Sequence, residues 1–313
     1  MKRTFDALLK ELRTASAVPE QAKLYHLSCL SKGDAAEFRA VWTDVHVEQR
    51  REIVAILVEI AEADIEVNFD TVFRIGIEDP DAEVRARSIA GLWENEDIRL
   101  VPILAERLLE DESAEVRKEA AISLGRFLLL GELEKIREKP MTIAYDALLI
   151  ACRDPEEPIE VRRRALESLA YAGTDVVENL IREAYKASSE RMRVSAVFAM
   201  GRSADPVWSP EVRQELFSPN PELRYEAARA SGELQLEEAV SQLEELAEDA
   251  DPEVQEAALW ALGQIGGDRA RALLEHYCQS PDEATRAAAE AAMDQLEFLH
   301  GDLTELFNRL MSG

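Results

Sequence analysis

Aromatic side chains make up only 6% of this 313-residue chain, which carries four histidines and three cysteines. His26, His46, His276 and His300 stand far apart, no HExxH occurs, and no two histidines share a helical turn, so the pattern encodes no zinc or di-iron site. Cys29, Cys152 and Cys278 are odd in number and widely separated. They read as small apolar residues of a protein in a reducing, cytoplasmic compartment rather than as a disulfide framework. No apolar run is long enough to span a bilayer. Met1-Lys2-Arg3 is followed by an amphipathic stretch, not the continuous apolar block of a signal peptide. No segment alternates for long enough to predict a sheet. Positive charge is scarce as well: 36 basic against 63 acidic residues leave a net charge of −27. That balance argues against broad nucleic-acid binding, which relies on Lys and Arg to displace counterions from phosphates.

What is present is a period. A column of residues recurs at Arg50, Arg85, Arg117, Arg162, Arg193, Arg224, Gln255 and Arg286, with a spacing of 31 residues from Arg162 onward. Three residues after the last six stand Ala120, Ala165, Ala196, Ala227, Ala258 and Ala289, and Ser88 follows Arg85 in the same place. Leu, Met or Ser occupies offset +7 (Leu57, Leu92, Leu124, Leu169, Met200, Ser231, Leu262, Met293), and Val84, Val116, Val161, Met192, Leu223 and Val254 occupy −1. These offsets form one stripe of a 3.6-residue helix. Gly125, Gly201, Gly232 and Gly263 at offset +8 are expected to close these helices in the left-handed conformation. Turns precede the helices at Asp79-Pro80, Asp111-Glu112-Ser113, Asp154-Pro155, Ser218-Pro219, Asp251-Pro252 and Ser280-Pro281. Upstream stretches such as 99–109, 142–152, 175–187, 236–247 and 269–278 supply the first helix of each pair. The prediction is an all-α, right-handed α-solenoid of about eight helical hairpins.

Segments such as Asp79-Pro80-Asp81-Ala82-Glu83-Val84-Arg85 and Asp251-Pro252-Glu253-Val254-Gln255-Glu256-Ala257-Ala258-Leu259-Trp260-Ala261-Leu262-Gly263 resemble HEAT repeats, and their short period is similar to the subgroup named after phycobilisome lyases. The resemblance covers roughly residues 45–295. It implies a ladder between adjacent repeats made by an Asp and an Arg six residues apart, which Asp79 with Arg85 and Asp111 with Arg117 match. Arg162, Arg193, Arg224 and Arg286 continue the ladder column, although Ala187, Ser218 and Ser280 replace the acid before three of them and Asp249 stands before Gln255. Deoxyhypusine hydroxylase, a HEAT-like enzyme, relies on repeated His-Glu pairs; this sequence has none, so the residues exclude that activity. Gly263-x-x-Gly266-Gly267 reads as a helix stop, since no strand precedes it.

The array has less regular parts. The gap from Arg117 to Arg162 is 45 residues and contains 128–140, read as an extended helix and loop. Residues 1–44, with Phe5, Leu8, Leu9 and Leu12 on one face, are expected to cap an array over 45–295, irregular over 45–160 and regular over 161–295; residues 296–313, through Leu303–Leu310, cap its other end.

Function is less legible. With no catalytic constellation, no metal site and no cofactor motif, the expected role is a non-enzymatic scaffold that grips a protein or peptide along its concave face. Offsets +2, +5 and +9 of the second helices point away from the core stripe and nominate Arg164, Tyr171, Phe198, Arg202, Arg229 and Trp260, the residue types that dominate binding hot spots. The same aromatics also suit packing between repeats, and the same arginines suit ion pairs with Glu167 or Glu226. Residues 211–260 hold 14 acidic and 3 basic side chains, which suits a solvated face or a docking surface for a basic partner. The lyase resemblance implies the alternative of a bilin-handling protein with Tyr171, Phe198 and Trp260 beside the chromophore; a nucleic-acid groove, as in HEAT-like DNA glycosylases, fits the charge less well. Oligomeric state leaves no mark on the sequence. Replacing Ala196 by Leu overpacks the stripe and is expected to lower stability by roughly 1–3 kcal/mol in urea unfolding; an unchanged midpoint would place Ala196 outside the core.

Overall fold

The computed structural model describes residues 2–14 and 17–300, and among these the chain is built of helices and turns with no strand. It divides into two compact units, Met1–Ser168 and Leu169–Gly313. The first contains α1 (Lys2–Thr14), α2 (Gln21–Leu24), α3 (Lys32–Trp42), α4 (Val47–Ala63), α5 (Asp70–Gly76), α6 (Ala82–Ala90), α7 (Leu100–Glu110), α8 (Ala114–Glu132), α9 (Glu138–Arg153) and α10 (Ile159–Leu169), whose last residue opens the second unit. The second continues with α11 (Asp175–Tyr185), α12 (Glu190–Arg202), α13 (Ser209–Glu215), α14 (Pro221–Glu233), α15 (Val240–Leu246), α16 (Pro252–Ile265), α17 (Gly267–Tyr277) and α18 (Glu283–His300). From α3 onward the helices pair into eight hairpins, and each of the eight column residues lies on the second helix of its pair. This is the all-α solenoid class.

Within each unit the second helices stack on one another: α4 on α6 on α8 in the first, and α12 on α14 on α16 on α18 in the second. From α6 on, each of these also packs on its own first helix, as α8 does on α7 and α12 on α11. The stripe explains the stacking. Ala120, Ala165, Ala196, Ala227, Ala258 and Ala289 are fully buried, as are Val116, Val161, Leu124, Leu169 and Leu262. Methyl side chains at the crossing let the helix axes approach, while the Val and Leu positions fill the space on either side. In α1, Phe5, Leu8, Leu9 and Leu12 are buried, and this helix packs on α3.

The glycines at +8 overturn their expected role. Gly125, Gly201, Gly232 and Gly263 all lie inside their helices, and none has a positive φ. They are there because another chain segment lies against them. A Cβ on Gly263 would stand 2.5 Å from the carbonyl oxygen of Ala292 on α18, one on Gly232 2.7 Å from the Trp260 ring, and one on Gly201 2.8 Å from Ala230 Cα. After α12, α14 and α16 the residues that turn left-handed are Ala204, Gln235 and Gly266, with φ of 52°, 51° and 69°, 31 residues apart. Only the last is glycine, which removes strain that the others carry.

The turns before the second helices divide two tasks. The residue six before the column bends the chain: the side chains of Asp79, Asp111, Asp249 and Ser280 accept from the N–H two residues on, at 2.9, 3.0, 2.9 and 3.2 Å. The residue four before the column caps the helix, as Asp81, Ser189, Asn220 and Asp251 do. The extra length between Arg117 and Arg162 is absorbed by long helices, 19 residues in α8 and 16 in α9, joined by a turn at Glu134 with φ 57°. Helix α18 runs on past residue 295 to His300, and the expected cap at Leu303–Leu310 lies outside the described residues.

Gly263→Ala must push α16 and α18 apart, because the obstructing atoms are backbone; unfolding in urea should show a loss of about 1–3 kcal/mol. Gly173→Ala, with nothing within 4 Å of the new Cβ, should change stability by less than roughly 0.5 kcal/mol. Equal effects at the two sites would contradict the close approach.

Candidate functional site

Two sets of side chains merit functional scrutiny, and the first is the arginine column. Four of the guanidinium groups reach backward to their own turn: Arg85 Nη1 donates to the Asp79 carbonyl at 2.9 Å, Arg117 to that of Asp111 at 2.7 Å, Arg224 to that of Ser218 at 2.9 Å and Arg286 to that of Ser280 at 3.0 Å. Gln255 makes the same bond to the Asp249 carbonyl. The other nitrogens reach forward to the next repeat. Arg85 holds Asp111 with two parallel bonds, at 2.9 and 2.8 Å, and Arg224 holds Asp249 likewise at 2.7 and 2.8 Å. Arg50 Nη2 donates to Asp79 Oδ1 at 3.1 Å, and the Trp42 indole N–H reaches Oδ2 of the same carboxylate at 2.7 Å.

The acid before each column residue thus serves the arginine one repeat earlier, and its own column residue takes only its backbone oxygen. Substitutions that break the six-residue pattern follow from this. Gln255 faces a repeat whose turn has Ser280 in place of the acid, so no charge is needed there. Ser218 gives Arg193 no carboxylate, and Glu215, one helical turn earlier, stands in at 2.7 Å while also accepting from the Tyr185 hydroxyl at 2.6 Å. Glu157 does the same for Arg117 at 2.8 Å. Arg162 reaches the Cys152 carbonyl at 3.3 Å. Spacing alone did not reveal Glu157 and Glu215, since both lie off the six-residue register.

The second set is the outward face of the second helices. In the second unit, Phe198 and Arg202 on α12 and Tyr225, Glu226, Arg229, Ala230 and Glu233 on α14 line a pocket of about 110 Å³. It brings together three of the six nominated residues. Trp260 on α16 stands beneath Arg229, whose guanidinium carbon is 3.6 Å from the indole centroid. Arg202 lies over Phe198, 5.2 Å from its centroid, and pairs with Glu233 at 3.2 Å. Burial pushes the Glu233 carboxyl up from its ordinary value, and the charges of Arg202 and Arg229 only partly oppose it. Tyr225 and Ala230 are the lining residues that no repeat offset nominated. Arg164 lies in the first unit and is tied to Glu167 at 2.6 Å; Tyr171, in the turn after α10, is half-buried and is not part of the pocket lining. Among the described residues no group of three or more His, Cys, Asp or Glu side chains converges as metal ligands.

Comparison with known proteins agrees with the helical-repeat fold. A family model described as HEAT repeats aligns with residues 71–138 and 209–294. Deoxyhypusine hydroxylase-B of Oryza sativa subsp. japonica is 33% identical over 164 residues, 50% of this chain and 54% of that protein, so the chain spans about half the length of the curated relative it matches. Yeast importin-beta (Kap95p) superposes with a TM-score of 0.56 at 12% identity, over 94% of this chain and 46% of that one. The Kap95:Nup1 complex gives 0.52 at 13%, over 97% and 47%. At such identities the structural likeness is one of fold.

The ladder carboxylates should leave a mark on stability. The Arg224 fork, helped by backbone N–H groups, holds the Asp249 carboxyl below its ordinary value, and at Asp111 the Arg85 fork and other donors outweigh the upward push of burial. A group lowered on folding contributes stability that is complete above its unfolded value, about 3.9, and is lost as pH falls towards the folded value. Asp249→Asn should therefore be less stable than the parent at pH 7 and converge with it in acid, read from urea midpoints between about pH 7 and 2. Parallel curves would remove Asp249 from the ladder's energetics.

Proposed function

We propose that this chain, being built of HEAT repeats, works as a non-enzymatic scaffold that captures a partner protein along the outward face of its second helices. The observation that carries the reading is the pocket between α12 and α14, where arginine, tyrosine and phenylalanine converge, with Trp260 beside it. Arginine and large aromatics supply planar hydrogen bonding and wide contact area at little entropy cost, which is why they anchor interfaces. Stacked hairpins repeat such a face at regular intervals, which suits an extended partner segment. Yeast importin-beta, solved in complex with Nup1, gives a precedent for a protein partner on this fold. The acid surplus outside the pocket, including Glu237, Glu238, Glu244, Glu245 and Glu248, draws basic surfaces towards the molecule and raises the encounter rate at low salt.

Affinity capture with the full chain from its native source tests the reading. One dominant protein should be recovered, and Arg202→Ala or Trp260→Ala should weaken its capture roughly tenfold or more with little change in thermal unfolding. Recovery of nucleic acid instead, with retention falling steeply as salt rises, or capture indifferent to both substitutions, would remove the second-helix face from the account.

A further inference from the structure

The two guanidinium groups of the pocket differ in how much of their bonding capacity is used. Arg202 is ion-paired: Glu233 holds it at 3.2 Å, although its buried Nε has no hydrogen-bond partner. Arg229 is not. It makes no hydrogen bond and no ion pair with any described residue, and its fixed contact is the Trp260 ring, over which it lies at 3.6 Å. Stacking uses the face of the guanidinium and leaves its edge free, with its N–H fork intact. Gly232, one turn along α14, makes the arrangement possible: any Cβ there would collide with Trp260 Cζ3 at 2.7 Å and displace the ring. Glu233, the acid whose charge Arg229 feels, is engaged by Arg202.

A flat cation held in place by an aromatic ring, with its N–H edge unbonded at the rim of a pocket of about 110 Å³, is preorganised for a planar anion. The volume suits one side chain. The pocket lies between α12 and α14, the first two of the four second helices stacked in this unit, and α16 and α18 continue the stack beyond it. We infer that Arg229 is the anchor for a carboxylate on an Asp or Glu side chain of the partner, received by the N–H fork while Phe198 and Tyr225 flank its aliphatic part. The inference rests on the scaffold reading for its setting but is tested without knowledge of the natural partner.

Three peptides blocked at both ends, hexaglutamate, hexaglutamine and hexalysine, are titrated against the full chain, and Trp260 fluorescence and amide shifts around α14 are followed. A fourth, hexaglutamine with a free C-terminal carboxylate, separates side-chain recognition from terminus recognition. Hexaglutamate should bind roughly tenfold or more tightly than blocked hexaglutamine. Arg229→Gln should erase that preference, and Arg229→Lys, which keeps the charge but loses the fork, should restore only part of it. Melting curves of both variants close to the parent's would show that the fold is intact, and the Trp260→Phe chain repeats the shift titration with the stack weakened. Hexalysine shifting the amides around α14 as hexaglutamate does, preference for the free terminus, or an unaltered preference in Arg229→Gln would each overturn the assignment. If a native partner is captured while hexaglutamate neither binds nor competes, this inference fails and the scaffold reading stands; if hexaglutamate binds but no protein is recovered, the reverse holds.

Discussion

The distance between consecutive second helices is the constraint on which the rest depends. It is set by residues with no side chain or a single methyl, fully buried alanines at one offset and glycines at another, where backbone or ring atoms of the next helix occupy the space a Cβ would need. At that separation the bulkier Val and Leu positions of the stripe are buried beside them, and the loss of one methylene of clearance is felt by a neighbouring backbone. A repeat cannot be widened alone, because each of its faces is shared with the next.

Once the helices are that close, the turn of one repeat lies beside the column arginine of the one before. The arginine uses its planar fork for two ends at once: a carbonyl at the end of its own first helix, otherwise unpaired, and a carboxylate of the next turn. The Arg85 and Asp111 side chains are only 7% and 2% exposed, and a bridge so deep adds little net stability over an apolar substitute. Its consequence is register: a hairpin that slid along its neighbour would leave a buried charge unpaired. Where an acid is missing, the chain either drops the charge, as at Gln255, or brings a carboxylate from one turn earlier, as at Glu215.

The same close stacking builds the face proposed for binding. Trp260 lies flat under Arg229 because Gly232 clears a path for it. Arg202 and Glu233 form an ion pair beside them, which leaves the Arg229 guanidinium with no ion pair to a described residue. The negative charge of the molecule as a whole and the free cation at this point are compatible, since long-range attraction depends on total charge and recognition on the few atoms within hydrogen-bonding reach.

Local pattern and period were enough to determine the helical class, the second-helix positions, the buried stripe and the candidate residues Phe198, Arg202, Arg229 and Trp260, because apolar spacing along a helix dictates which face must be buried. The role of the +8 glycines, the offset by which each acid serves the preceding arginine, the substitutes Glu157 and Glu215, and the presence of Tyr225 in the pocket were decided only by tertiary structure. Each depends on which atoms of a neighbouring repeat come within a few ångströms, and a one-dimensional pattern carries the order of those atoms but not their distance.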